Sequence, residues 1–169
     1  MENLEKTVIQ WYEKFPELYQ KEINSMELVC PKASHGFFIT GQMYWKIPCV
    51  PFIKGERKKW ILLILYDSNY PHRGQSVKCY PIKPDYDAIR RIVLESNVNP
   101  KIVPHSILDG NGMMYFSSDR IGDMCITRSA TSELRRAYRW VTCFELGIQN
   151  QNVWDMLCGN LPRQSINYI

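Results

Sequence analysis

The sequence predicts an α+β fold, and three observations carry that expectation. An amphipathic helical pattern opens the chain, short apolar or alternating segments parted by Gly, Pro and Asn turns follow, and helical spacing returns after Pro84. Strands grouped together, with connections too short to hold crossover helices, point to antiparallel pairing. A chain of 169 residues with 45% hydrophobic and 12% aromatic content fits a single domain over 1–169 with a sizeable core.

Leu4, Val8, Trp11, Tyr12 and Phe15 recur at three- and four-residue spacing, with Glu5, Lys6, Gln10, Glu13 and Lys14 on the opposite face, so the N-terminus reads as a helix. Pro16 ends it or opens a second, turn-rich segment through Ile23. Gly36–Ile39 and Met43–Ile47 read as strands parted by Thr40-Gly41, and Pro48 and Pro51 are expected to disrupt pairing beyond them. A Lys54-Gly55-Glu56-Arg57 turn leads to Trp60–Tyr66, whose unbroken apolar run predicts a central strand covered on both faces. Asp67–Gly74 reads as a turn region and Val77–Ile82 as a further strand, which makes an antiparallel meander of about four strands. Tyr86, Ile89, Ile92 and Val93 then mark a helix from about Asp85 to Ser96. Residues 97–121, with Pro100, Pro104, Gly110 and Gly112, read as a long irregular loop, a length that marks functional segments in compact domains. Helices over Ser132–Leu146 and Val153–Leu157 close the chain, with Gly147 placed as a C-terminal cap.

Net charge is +4, and the basic residues fall in short clusters: Lys54 to Lys59, Arg90-Arg91, and Arg135-Arg136-Arg139. They make no dense stripe, which argues against nucleic acid and leaves a basic face for an acidic protein. No signal-peptide pattern opens the sequence, and the longest apolar run, Trp60–Tyr66, is too short to span a bilayer. A soluble, cytoplasmic protein with no membrane partner is therefore expected, with its six cysteines reduced. None of them stands in a C-x-x-C pair, and His35, His72 and His105 fall at no zinc-ligand spacing, so no metal is expected. With no Gly-rich phosphate loop or Gly-x-Ser-x-Gly elbow, no cofactor is expected either.

The chemistry concentrates at Gly122-Asp123-Met124-Cys125-Ile126, between Pro104-His105 upstream and the helical Thr131–Trp140 downstream. A loop cysteine followed by a helix is a way of presenting a thiol to solvent, and Cys is intrinsically nucleophilic. Cys125 is the catalytic candidate, its polar flanks Asp123 and Thr127 favouring a surface loop over the alternative of a small buried hydrophobe. His105 is the second candidate, either as an oxyanion donor or base or as a loop-bracing hydrogen bonder. Asn111 and the carboxylates Asp109, Asp119 and Asp123 are further polar candidates on the same loop, with the alternative that they are simply solvated, as loop carboxylates usually are. Among the other cysteines, Cys79 and Cys143 are expected to be buried, and Cys49, between two prolines, is the rival to Cys125 for exposure. Trp140 is expected to pack, and Tyr70-Pro71 to be a structural turn.

Four pieces, in this order, resemble the ubiquitin-conjugating enzyme family in its divergent prokaryotic branch. They are the strand from Trp60 through the Tyr70-Pro71 bend to Val77, Pro104-His105 before the site, Gly122-Asp123-Met124-Cys125-Ile126 as a Gly-x-aliphatic-Cys-aliphatic segment, and the helix Leu134–Trp140 behind the cysteine. The resemblance implies that Cys125 receives a carboxyl-terminal glycyl group from an adenylating (activating) enzyme by transthiolation and passes it to a target amine or thiol. It further implies a donor with a C-terminal glycine-type tail, either a ubiquitin-like protein or a cyclic-nucleotide synthase, and a role in bacterial antiphage defence. Lys6, Lys14 and Lys21 become candidates for meeting the activating enzyme. The sequence departs from the family's His-Pro-Asn, reading Pro104-His105-Ser106, and Met113-Met114-Tyr115 can be aligned with the active-site position instead. A non-catalytic binding module on the same fold and a Cys-His thiol hydrolase or acyltransferase are the competing readings.

Overall fold

The computed structural model describes residues 9–72, 75–116 and 128–159. Among the described residues, the opening helical pattern gives a single turn, α1 (Trp11–Lys14), and then a longer helix, α2 (Pro16–Val29). The expected start at Leu4 lies outside the described residues. Glu13 accepts the Gln10 backbone N–H at 2.7 Å, which closes a capping box on α1. Pro16 opens α2 rather than ending anything, since a first-turn proline forfeits no helical bond. That helix runs past Ile23 because Glu22, Ile23 and Met26 continue its buried stripe.

Four strands form one antiparallel sheet in chain order, β1 (Ser34–Phe37), β2 (Met43–Cys49), β5 (Trp60–Tyr66) and β6 (Val77–Lys83), so the expected meander is present. Pro48 does not break β2. Pairing with β1 ends at Ser34 opposite Lys46, so Pro48 lies beyond that ladder while it still faces Ile61 of β5. The Lys54–Arg57 turn is the tip of a small hairpin, β3 (Phe52–Ile53) and β4 (Glu56–Arg57), with both central residues at positive φ, Lys54 at 50° and Gly55 at 81°. Coverage of β5 on both faces is not complete. Trp60, Leu62, Ile64 and Tyr66 are buried, whereas Ile61, Leu63 and Leu65 are half-buried, shielded by cross-strand neighbours such as Tyr44, Lys46 and Tyr80 and not by a helical layer.

The inner face of the sheet meets α4 (Ala130–Gly147), which also touches α2 and the last helix, α5 (Gln151–Gly159). Leu134, Ala137, Val141 and Phe144 form the buried stripe of α4. Trp140 stacks on Phe144 with centroids 5.0 Å apart and planes within 9°, while Trp60 meets both rings edge-on. Trp140 therefore packs, as expected. Gly147 does not cap α4: it is the last helical residue, and a Cβ there would lie 3.0 Å from Trp154 Cε3. The close approach of α5 therefore favours a residue without a Cβ here.

The helix α3 (Tyr86–Glu95) is capped by Asp85, whose carboxylate accepts the Ala88 N–H at 2.9 Å. At its other end Lys101 Nζ donates to the carbonyls of Val93, Leu94 and Ser96. The long stretch after it is less irregular than expected, since it holds a hairpin of β7 (Ser106–Leu108) and β8 (Met114–Phe116). The chain before β7 is fastened by helix side chains to its own carbonyls: Gln151 to Asn99 at 2.6 Å, Trp154 to Pro100 at 3.0 Å and Trp140 to Pro104 at 2.8 Å.

Candidate functional site

The segment 117–127, with Cys125, Asp119 and Asp123, lies outside the described residues, but its two anchors are described in detail. Upstream, Met114, Tyr115 and Phe116 of β8 are all buried. Downstream, Ser129 caps α4 by accepting the Ser132 N–H at 3.3 Å. The first N–H of that helix, on Ala130, donates to Glu22 Oε2 at 3.0 Å. Glu22, 4% exposed, also takes the Tyr66 hydroxyl at 2.7 Å and the Tyr70 hydroxyl at 2.9 Å. One carboxylate thus joins α2, the end of β5, the turn after it and the start of α4. A negative charge at a helix N-terminus is also the favourable sign for the helix dipole.

A second buried carboxylate, Glu133, ties the two anchors to each other. It pairs with Arg128 Nε at 3.4 Å and with Arg136 Nη2 at 3.1 Å, and the same Nη2 donates to the Phe116 carbonyl. The chain therefore leaves at Phe116 and returns at Arg128 on one ion-pair clasp. Burial pushes the Glu133 carboxyl above its ordinary pKa, and the two guanidinium groups pull it back only in part.

His105 is buried at positive φ (49°), and its Nε2 lies 2.8 Å from the Leu157 carbonyl of α5. The ring thus braces the end of α5 against the entry to β7. Asn111 is exposed in the β7–β8 turn, where its backbone N–H, like that of Met113, donates to Asp109 Oδ1 at 2.9 Å. Asp109 therefore organises the turn and also bonds Tyr80, whose hydroxyl pKa is pushed up by burial and by that carboxylate.

Cys49, the expected rival for exposure, is buried, because it ends β2 on the inward side opposite Trp60. Burial, with Cys30 beside it, pushes its thiol up to about 12. Cys79 is buried, as expected, and its thiol is held well above the ordinary range. The Cys158 thiol is pushed up to about 11 by burial and then by Asp155. Cys143 is half-buried rather than buried, and Cys30 is half-buried too. Thiolate supply thus works against Cys49, Cys79 and Cys158 as nucleophiles.

His35 packs at a tilt against Trp45 and His72 meets Phe15 edge-on, both well separated in sequence from His105. Among the described residues no group of three or more His, Cys, Asp or Glu could hold a metal ion, and no helix is long and apolar enough to cross a membrane. The Glu22 junction and the Glu133 clasp had no signal in the sequence beyond the basic cluster at Arg135-Arg136-Arg139. No family model, no curated protein and no solved structure matches the chain.

Proposed function

We propose that the chain is a cysteine-dependent conjugating enzyme of the ubiquitin-conjugating type, carrying the C-terminus of a protein as a thioester on Cys125. The observation that supports this reading best is the clasp. A segment of 11 residues, 117–127, leaves and re-enters the described structure at one ion-pair cluster, and Cys125 stands three residues before the returning Arg128. Chain length alone keeps the Cys125 Cα within about 11 Å of that of Arg128. The raised thiols of Cys49, Cys79 and Cys158 add weight by removing competitors.

The chemistry has two balanced steps. The Cys125 thiolate attacks the carbonyl of an activated donor thioester on an adenylating enzyme; a new C–S bond forms and the donor's thiol leaves. A target amine then attacks the Cys125 thioester, a C–N bond forms, and the Cys125 thiolate departs, the amine proton going to it or to solvent. An already activated acyl group asks for little depression of the thiol pKa. His105 serves here as a positioning residue, since its burial and its contact with Leu157 favour bracing over proton transfer. The donor, a ubiquitin-like protein or a cyclic-nucleotide synthase, and a role in antiphage defence rest on the family resemblance alone.

A binding module on the same fold is the second reading. Phe37, Phe38 and Ile39, all exposed at the β1–β2 hairpin, favour it by offering an apolar docking tip. Intact mass of the protein, purified without reductant from cells co-expressing its genomic neighbours, separates the two. The expected result is a thiol-labile adduct on the wild type, its loss in Cys125→Ala, and a thiol-stable oxyester in Cys125→Ser. Full biological activity in Cys125→Ala with no adduct on the wild type would refute the conjugating enzyme.

A further inference from the structure

Away from the Glu133 clasp, a groove of about 300 Å³ opens where α2, β2 and α4 come together. Val29 and Cys30 reach it from the end of α2, residues 47–50 from the end of β2, and Leu134 from α4. Ile47, Cys49 and Leu134 are buried and make its floor, while Val29 and Val50 stand exposed on its rim. Aliphatic walls around a space of this size, at the lower end of roughly 300–1,000 Å³, are usual for a small-ligand pocket.

Two polar side chains stand at its mouth, Arg135 and Tyr138, three residues apart and so on one face of α4. Arg135 is the single charged residue that lines the groove, and among the described residues it pairs with no carboxylate. Its own helix offers none, since the positions three and four away hold Thr131, Ser132, Tyr138 and Arg139. The last turn of α2 carries Glu27, which is exposed and lines no part of the groove. An apolar body thus finds walls to cover, and a carboxylate at its end finds a guanidinium and a hydroxyl as donors.

The edge of β2 decides between a small molecule and a peptide. The Gln42 carbonyl accepts the Phe38 N–H, and the β1–β2 register then runs unbroken to Lys46 opposite Ser34. Even-numbered residues of β2 therefore turn their backbone groups toward β1. Position 48 is the first of these beyond the end of β1, and it is a proline that lines the groove. The open edge there shows a carbonyl and no N–H. An extended peptide laid along it would forgo a ladder bond and bring unpaired amides against apolar walls. An acyl chain has no such groups to satisfy.

We propose that this groove binds a medium-chain fatty acid, with the chain on Ile47, Cys49 and Leu134 and the carboxylate at Arg135. The site stands whether or not Cys125 carries an acyl group. Calorimetry on the full chain tests it, with sodium hexanoate, octanoate and decanoate below their micelle concentrations. The expected affinity rises about fourfold for each added methylene until the groove is full. Decanol binds about threefold more weakly than decanoate, and Arg135→Met removes that difference while leaving decanol unchanged. Val50→Trp, which fills the groove from its rim, abolishes binding of both. Should that variant not fold, alkylation of the wild type by iodoacetamide, read peptide by peptide by mass spectrometry, replaces it. Decanoate then slows the reaction of Cys30, which lines the groove, and leaves Cys143 and Cys158 unchanged. No binding, protection of all three cysteines alike, or a decanoate affinity indifferent to Arg135→Met overturns the site. Tighter binding of the capped dipeptide N-acetyl-Leu-Asp-amide than of octanoate also overturns it, and gives the groove to a protein partner.

Discussion

Removing the Glu22 carboxylate is the sharpest test of how the fold holds the start of α4. Three donors converge on it, the hydroxyls of Tyr66 and Tyr70 and the Ala130 N–H, and the side chain is 4% exposed. In Glu22→Ala all three lose their acceptor in a place water cannot easily reach. At about 1–3 kcal/mol for each buried unsatisfied group, the loss is roughly 3–9 kcal/mol, a large part of an ordinary domain's stability. Glu22→Gln behaves differently. Its carbonyl oxygen can keep Tyr66 and Ala130 while the amide faces Tyr70, whose hydroxyl rotates to accept, so the expected loss is only about 1–2 kcal/mol. Urea unfolding of the two variants measures both numbers. If the reading holds, Glu22→Ala falls far below Glu22→Gln, and any Cys125 adduct forms more slowly in it because the return of the chain at Ala130 is loosened. Two results refute the reasoning: Glu22→Ala within about 1 kcal/mol of the wild type, or Glu22→Gln as damaging as Glu22→Ala, which would place the effect in the charge and not in the acceptors.

Two further outcomes are expected. Gly147→Ala gains about 1 kcal/mol of helix propensity but sets a Cβ 3.0 Å from Trp154 Cε3, on a ring fixed by its bond to Pro100. Overpacking of that kind costs about 1–3 kcal/mol, so the Tm should fall by about 2–4 °C, and a rise would show that α5 moves freely. Stability should also decline in alkali. Burial pushes the folded-state Cys49 thiol up to about 12 and raises the hydroxyls of Tyr66, Tyr70 and Tyr80 further above their ordinary range, so the stability these groups contribute is whole below about pH 9 and is lost as pH climbs toward the raised values, the Cys49 share first. Thermal melts between pH 8 and pH 12 (about one pH unit apart) check this, and a flat Tm across that range contradicts it.

The sequence made the sheet legible because its signals are local. Alternation in Met43–Ile47, the apolar run at Trp60–Tyr66 and the turn residues between them each follow from side chains a few positions apart. Errors arose where a residue answers to something distant. Gly147 reads as a cap because glycine after a helix is usually one, yet it is Trp154 of the next helix that crowds the position. Pro48 looked like a breaker because nothing local says that β1 has already ended beside it. The β7–β8 hairpin went unseen because three-residue strands give no period, although Asp109 and Gly112 stood in its turn. At the candidate site a lone cysteine was readable, but its supports were not. Ala130 meets Glu22 across 108 residues and Arg136 meets Phe116 across 20, separations that no pattern in one sequence reveals.

The chain between α3 and β7 has a consequence for how this protein tolerates change. Its carbonyls at Asn99, Pro100 and Pro104 are gripped by Gln151, Trp154 and Trp140. A grip on the main chain is indifferent to the side chain it passes, so Asn99 and the exposed Ile102 are free to drift while the path of the loop stays the same. The constraint has been moved to the two helices. A saturation library would find intolerance written at Trp140 and Trp154, far along the sequence from the loop they shape.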